Sequence, residues 1–307
     1  MPARLQHIRI LSDGRAGHEN QSTGLAIALQ RRCGAMVETV KLDPSRSVFH
    51  RIRTARSLSQ GQSAPDLVIA AGHRTHLPLL LAARKFRARS VVIMKPSMPA
   101  RWFDLCLIPQ HDLAGRRPVP NIISTLGALN RIPEDAPSKG NSGIIMIGGP
   151  SAHHLWAEEP LLAAIRAVVL ASPELSWSLG NSRRTPDGFL PRVAALGLPL
   201  QIVPHESTAP DWLPAQLLAA RQAWITADST SMISEAFTAR ARTGILPMPA
   251  KSADSRVVLA VHEFIRSGLA VPFDTWQSAG WPQLATDSPV IHEAARCANE
   301  ILTRFFP

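Results

Sequence analysis

Along the whole chain, apolar β-prone runs alternate with helix-length segments, and this alternation limits the fold more than any other feature. In the first half, "HIRIL" (7–11), "MVETVKL" (36–42), "DLVIAA" (66–71), "SVVIMK" (90–95) and "LCLIP" (105–109) predict strands, with helices near 22–32, 45–59 and 75–86. The stretch "NRIPEDAPSKGNSG" (130–143) is rich in Pro, Gly, Ser and charge and reads as a linker. The pattern then restarts with "GIIMIGG" (143–149), "LSWSLG" (175–180), "LQIVP" (200–204), "AWITAD" (223–228) and "TGILPM" (243–248). Helices are expected near 157–171, 186–195, 212–220, 230–240, 253–267 and 287–304. The expectation is an α/β fold of two Rossmann-like domains facing each other across a cleft. They span 1–135 and 143–307, with the last helix packing back on the first. Ligands in such sheets bind outside the carboxyl ends of the strands.

A length of 307 residues and an apolar content of 45% suffice for two cored domains. The first segment is too polar for a secretory signal, and no apolar run approaches the roughly 18 residues that span a bilayer, so a cytoplasmic protein is expected. Cys33, Cys106 and Cys297 are scattered and lack CxxC spacing, which points to reduced, mostly buried thiols and to neither a disulfide framework nor a zinc site.

The formal charge is +10, and residues 1–140 hold 21 basic against 9 acidic side chains, leaving 12 against 14 for the rest. Either an Arg-rich coding bias or an anionic partner of the first half explains this asymmetry: nucleic acid, an acidic membrane surface or an anionic substrate. Nucleic acid is the least favoured, since the chain has no Tyr and no zinc-finger, helix-turn-helix or RNP pattern. The segment "LPLLLAARKFRAR" (77–89) fits a crossover helix with a basic C-terminal cap better than a lipid-docking helix.

Four polar clusters directly follow predicted strands. The first is "SDGRAGHENQSTG" (12–24), where Gly14 and Gly17 permit close backbone approach and Asp13, His18 and Glu19 are candidate general bases. Arg15, Asn20 and Gln21 share this loop, which does not match GxGxxG, so a dinucleotide cofactor is not expected. In the second domain, "ITADSTSMISEAF" puts Asp228, Ser229, Thr230 and Ser231 at a helix start and Glu235 one turn on. This suits a diphosphate and a ribose, although simple helix capping explains it as well. Arg183 and Arg184 in "LGNSRRTP" could neutralise a diphosphate, and Gly149 and Ser151 in "MIGGPSAHH" occupy the matching turn. No Asp-x-Asp, GxSxG or Walker lysine motif is present. His73 and His76 lack a third metal ligand nearby, so no metal is expected.

These motifs, "LSDGRAGHENQSTGLAIAL", "IGGPSAHH", "GNSRRTP" and "ITADSTSMISEA", resemble the bacterial branch of the family named for the plant elongated-mitochondria fission factor. That family in turn is similar to GT-B glycosyltransferases, in particular the peptidoglycan transferase acting on a lipid-linked acceptor. The resemblance implies that Glu235 holds the nucleotide ribose, that Ser229 to Ser231 hold the diphosphate, and that the first loop with Gly72 and His73 forms the acceptor side. The first loop here is Asp-Gly-Arg-Ala-Gly-His where the transferase has a nearly all-glycine run, and the donor helix lacks the usual glycine after its first serine.

The expected activity is metal-independent sugar transfer from a nucleotide-sugar to an anionic lipid-linked or lipopolysaccharide-like acceptor, peripheral on the inner face of the cytoplasmic membrane. The nucleotide-sugar is a substrate, and no cofactor is expected. A nucleotide-sugar epimerase of the same fold and a non-catalytic nucleotide- or partner-binding scaffold are the alternatives, because the plant member is known as a recruiter of fission machinery.

Overall fold

The computed structural model describes residues 4–58, 63–113, 119–135, 138–282 and 291–307. In chain order it contains β1 (His7–Ser12), α1 (Ala16–Cys33), β2 (Met36–Lys41), α2 (Val48–Ala55), β3 (Leu67–Ala71), α3 (His76–Phe86), β4 (Arg89–Ile93), β5 (Leu105–Pro109) and β6 (Ile122–Thr125). There follow β7 (Ser142–Ile147), α4 (Glu158–Ala171), β8 (Ser176–Asn181), α5 (Phe189–Ala194), β9 (Leu200–Val203), α6 (Trp212–Ala219), β10 (Ala220–Thr226) and α7 (Thr230–Thr238). The chain ends with β11 (Arg242–Leu246), α8 (Arg256–Arg266), β12 (Val271–Pro272), α9 (Phe273–Ala279) and α10 (Glu293–Phe305). Two compact units result: Met1–Arg131 with His292–Pro307, and Ile132–Ile291.

Each unit is built on a six-stranded sheet in which every pairing is parallel, the first in the order β2-β1-β3-β4-β5-β6 and the second β12-β11-β10-β7-β8-β9. The central strands β3, β5 and β7 are largely apolar because alternate side chains enter different cores. In the first unit, Ile8, Ile10, Leu67, Ile69, Val91 and Leu105 pack under α1 and α10. Leu11, Val68, Ala70, Val92 and Cys106 point the other way, to the core that holds Ala55 of α2 and Leu79, Ala82 and Ala83 of α3. The second unit repeats the arrangement, with Ile144, Met146, Ala223 and Ile225 in one core and Ile145, Ile147, Leu179 and Trp224 in the other.

Arg9 interrupts this pattern as a fully buried cation in the middle of β1. Its Nε donates to Glu38 at 2.6 Å, its Nη1 donates to the carbonyls of Ala55 (3.0 Å) and Ser57 (2.8 Å), and the guanidinium stacks 5.0 Å from the Phe86 ring. One side chain therefore ties β1 to β2, to the end of α2 and to α3.

Two helix boundaries differ from expectation. α1 starts at Ala16, so Gly17 to Gln21 belong to its first turns and not to a loop. Glu19 favours this start electrostatically, and Gln21 and Ser22 turn to the buried side with Leu25 and Leu29. Gly17 is thus helical, with open space where a Cβ would be. α2 is shorter than expected, because Asp43 and Ser45 form a turn and Ser47 caps the helix by accepting the His50 N–H at 3.2 Å.

The periodicity did not reveal β6, β12 or α9. The four residues of β6 are held partly by α10, whose Arg304 donates to the Pro120 carbonyl at 2.8 Å and whose Arg296 donates to that of Ser124. α9 is carried by aromatic packing: Trp224 meets Trp276 and Trp281 at ring distances of 4.8 and 5.1 Å. α10 lies in the first unit, where Ala294, Cys297, Ala298 and Ile301 complete the core beside α1. The expected beginning of that helix at 287, position 59 of the second expected helix and positions 136–137 of the linker lie outside the described residues. Burial pushes the Cys106 and Cys297 thiols up to about 12, so both are inert at neutral pH.

Candidate functional site

Both sheets have one point where the strand order reverses, and adjacent strand ends splay there to leave a ligand position. In the first unit that point lies between β1 and β3. Asp13 leaves the end of β1, Gly72 the end of β3, and His18 stands in the first turns of α1. The His18 Nδ1 is 3.0 Å from both carboxylate oxygens of Asp13. Asp13 is buried, and its Oδ1 also accepts the Arg15 N–H at 3.2 Å. Nδ1 therefore carries the proton donated to Asp13, which leaves Nε2 of the neutral ring as a proton acceptor. Gly72 closes the group: at φ +93° a Cβ on it would lie 2.5 Å from His18 Nδ1 and 2.8 Å from Asp13 Oδ2.

The other residues expected here have different places. Glu19 accepts from the Ser12 hydroxyl at 2.5 Å, and that oxygen accepts the Gly14 N–H at 3.0 Å, so this carboxylate braces the turn. Asn20 accepts from Arg131 Nε at 3.0 Å and Gln21 is buried, whereas Gly14, Arg15 and His73 are exposed.

His76, at the start of α3, had no assigned role. Its Nδ1 accepts from the Ser97 backbone N–H at 3.3 Å and lies 3.0 Å from the Ser97 hydroxyl, while its ring meets Phe103 edge-on. Burial first, then the charges of His73 and His18, lowers the ring to about 4 from its ordinary 6.5. The unfolded chain thus takes up this proton near pH 6.5 and the folded chain only near 4. The stabilisation is complete above pH 6.5 and is lost as pH falls towards 4, to an upper bound of about 3 kcal/mol. Urea unfolding should show wild type losing more stability between pH 7 and pH 4 than His76→Gln. Equal losses in the two proteins would contradict this assignment.

In the second unit the reversal falls between β7 and β10, and three strand ends converge there. Gly148 and Gly149 follow β7, Ser182 to Thr185 follow β8, and Asp228 and Ser229 follow β10. Asp228 Oδ2 pairs with Arg184 Nη2 at 2.7 Å and accepts from the Gly149 N–H and the Ser229 hydroxyl, both at 3.2 Å. Arg184 also donates to the Gly149 carbonyl at 3.1 Å and to the Ser229 hydroxyl oxygen at 3.3 Å. The Gly148 N–H donates to Thr226 at 2.8 Å, and Thr185 donates to the Gly148 carbonyl at 2.5 Å. Glycine is required at 148 and 149 by close approach. A Cβ would lie 2.2 Å from Asp228 Oδ2 at the first and 2.0 Å from the Arg184 carbonyl at the second.

Ser229 is the N-cap residue of α7, yet its side chain caps no helix N–H. Thr230 and Ser231 are half-buried in the first turn and Glu235 is buried in the second. Arg183 is exposed. The Ser151 hydroxyl oxygen accepts the N–H groups of His153 (3.0 Å) and His154 (3.1 Å), turning the chain after β7. Asp228 was expected at this helix start but without a role of its own, and Thr185, Thr226 and His154 were not singled out. The signal for Asp228 was an acid placed directly after an apolar strand, but its partner is 44 positions away, which only the fold reveals. Among the described residues no group of three His, Cys, Asp or Glu side chains could hold a metal ion, and no helix is long and apolar enough to cross a membrane.

The architecture matches solved structures across nearly the whole chain. A Listeria monocytogenes protein described as a UDP-N-acetylglucosamine 2-epimerase superposes with a TM-score of 0.63 at 12% identity, covering 98% of this chain and 95% of that one. The Methanocaldococcus jannaschii UDP-GlcNAc 2-epimerase, solved with UDP-GlcNAc and UDP, gives 0.51 at 10% identity, with coverage of 97% and 99%. The glycotransferase of kitacinnamycin gives 0.52 at 16% identity over 100% of both chains. The fold is therefore the two-domain Rossmann-type, GT-B-like one. In sequence, the Rickettsia prowazekii (strain Madrid E) protein RP120 is 29% identical over 114 residues, which is 34% of this chain and only 32% of that relative's length. The family model for mitochondrial fission ELM1 matches residues 16–305, and with nearly the whole chain inside that match, the protein belongs to the mitochondrial fission ELM1 family.

Proposed function

We propose that the protein transfers a sugar from a nucleotide-sugar to an anionic acceptor of the cell envelope, lipid-linked or lipopolysaccharide-like, with inversion and without a metal ion. The observation that carries this is the N-terminus of α7. It opens at the switch point of the second sheet, its N-cap serine leaves the first-turn amides uncapped, and the Arg184 guanidinium stands beside that serine. Such an end binds phosphate through backbone N–H groups and the helix dipole. The donor diphosphate lies against Ser229, Thr230 and Ser231, with Arg183 and Arg184 neutralising it, Gly149 and Ser151 lining the turn, and Glu235 accepting from the ribose hydroxyls. The M. jannaschii epimerase of the same fold binds UDP-GlcNAc and UDP, which supports a uridine nucleotide as the first donor to test.

His18 is the base in this reading. The acceptor hydroxyl passes its proton to His18 Nε2 as its oxygen bonds to the anomeric carbon. The bond from that carbon to the diphosphate oxygen breaks, and the electron pair leaves on the nucleotide diphosphate. Asp13 stabilises the imidazolium so formed. Gly14, Arg15, Gly72 and His73 surround the acceptor. Gly17, Asn20 and Gln21 shape the same helix start.

A surface on this unit suits an anionic membrane or acceptor. Phe49 of α2 is 80% exposed and borders a groove of about 490 Å³ with Ile52, Arg53, Arg56 and Lys85. Co-sedimentation with phosphatidylglycerol vesicles should be lost in Phe49→Glu; equal binding by that variant would remove the membrane from the proposal.

Nucleoside diphosphates should raise the melting temperature of the wild type, and Glu235→Ala should weaken the effective nucleotide at least about tenfold, or 1.4 kcal/mol. No stabilisation by any of them, or equal stabilisation of Glu235→Ala, would remove the donor site. The epimerase reading draws on the fold shared with the Listeria and Methanocaldococcus proteins. It requires an epimerised sugar from donor alone, whereas transfer requires an acceptor.

A further inference from the structure

A buried carboxylate already occupies the groups that a phosphate would use at α7. Asp228 is fully buried, and its Oδ2 takes the Gly149 N–H, the Ser229 hydroxyl and the Arg184 guanidinium. These are the anion-binding donors of the turn, and they hold an anion supplied by the chain itself. Among the described residues, Oδ1 of the same carboxylate is buried without a hydrogen-bond partner. The carboxylate is therefore held through one oxygen, and a buried polar atom without a partner costs stability.

The two members of the ion pair differ in freedom. Asp228 lies flat against Gly148, where even a methyl group would collide with both carboxylate oxygens, at 2.2 and 2.4 Å. The Arg184 side chain is 43% exposed. His154 is close enough to feel the Asp228 charge, but burial lowers its basicity more than that charge raises it, so the ring does not replace the guanidinium. Arg184 is the part that can move, and Asp228 is the part that stays.

We propose that Asp228 is a resident anion that holds Arg184, Ser229 and the Gly149 N–H until a ligand carrying a diphosphate draws Arg184 away from it. This rests on the donor site proposed above and adds a selection rule. Every ligand must first break the Arg184–Asp228 pair, so weakly charged anions do not enter, whereas a diphosphate recovers the loss through Arg184 and the α7 amides together. Asp228 thereby sets donor affinity without touching the donor.

The test is calorimetric titration of UDP and of inorganic pyrophosphate into the full chain. Asp228→Asn should bind both at least tenfold more tightly than wild type, and the gain should vanish in Asp228→Asn/Arg184→Ala. Asp228→Ser, whose hydroxyl can still accept the Gly149 N–H, serves if the asparagine variant does not fold. Unchanged or weaker binding by these Asp228 variants, with wild type binding UDP normally, would overturn the resident-anion proposal and leave the donor site standing. Arg184-dependent pyrophosphate binding by Asp228→Asn without nucleotide binding by any variant would keep the resident anion and remove the nucleotide-sugar reading. No binding of either probe by any variant overturns both.

Discussion

His18→Asn should reduce the turnover of sugar transfer by a factor on the order of 10² to 10⁴, the usual contribution of a positioned general base, while leaving the affinity for the nucleotide unchanged. The separation follows from placement: His18 is in α1 of the first unit, whereas the proposed diphosphate groups are in the turns after β7, β8 and β10 of the second. Asp13→Asn should reproduce much of the loss, since an amide neither stabilises the imidazolium nor fixes the tautomer that leaves Nε2 free. Glu19→Gln should have little effect on turnover, because that carboxylate is engaged with Ser12. Turnover and nucleotide affinity measured on the three variants decide the matter. A fully active His18→Asn, or a Glu19→Gln as impaired as His18→Asn, would exclude His18 as the base.

Arg9→Ala should cost the first unit about 3–5 kcal/mol, the range expected when one member of a buried ion pair is removed. Its loss leaves Glu38 without its closest cation, takes donors from the Ala55 and Ser57 carbonyls, and uncovers Phe86. Arg9→Lys should recover only part of this, because a single ammonium cannot reproduce a planar fork that serves three acceptors and stacks on a ring. Hydrogen exchange of the β1 and β2 amides is the suitable readout, since two compact units need not melt as one. Protection in Arg9→Ala within 1 kcal/mol of wild type would mean that Arg9 does not bind these elements together.

Each misjudged element owes its form to surroundings that its own stretch of sequence does not display. α1 was expected to start at residue 22 because Gly17 to Gln21 look like loop residues when no surroundings are known. The fold makes them helical, since Gln21 and Ser22 face the interior and Glu19 suits the helix start. β6 is too short to show a period of two and is fixed by arginines of α10, far away in sequence. α9 depends on edge-on packing of Phe273 and Trp276 against Trp224, again a contact with no local trace. For the candidate sites, His18, Asp13, Arg184, Ser229 and Glu235 could be named because polar residues directly after apolar strands stand out. His76, Asp228 and His154 could not be assigned roles, since each draws its properties from burial and from partners on other elements.

The sequence by itself determined the class of the fold and the strand ends where polar residues collect. Both follow from local facts: continuous apolar runs demand sheets covered on two faces, and Gly, Ser, Asp and His after such runs have nowhere to go but the strand ends. The tertiary structure alone decided how those residues pair. It placed Asp13 against His18 under a glycine that leaves no room for a Cβ, and it joined Arg184 to Asp228 across three turns of one sheet. Pairing depends on distances set by sheet order, and sheet order is a collective property of the packed cores that no short stretch of sequence contains.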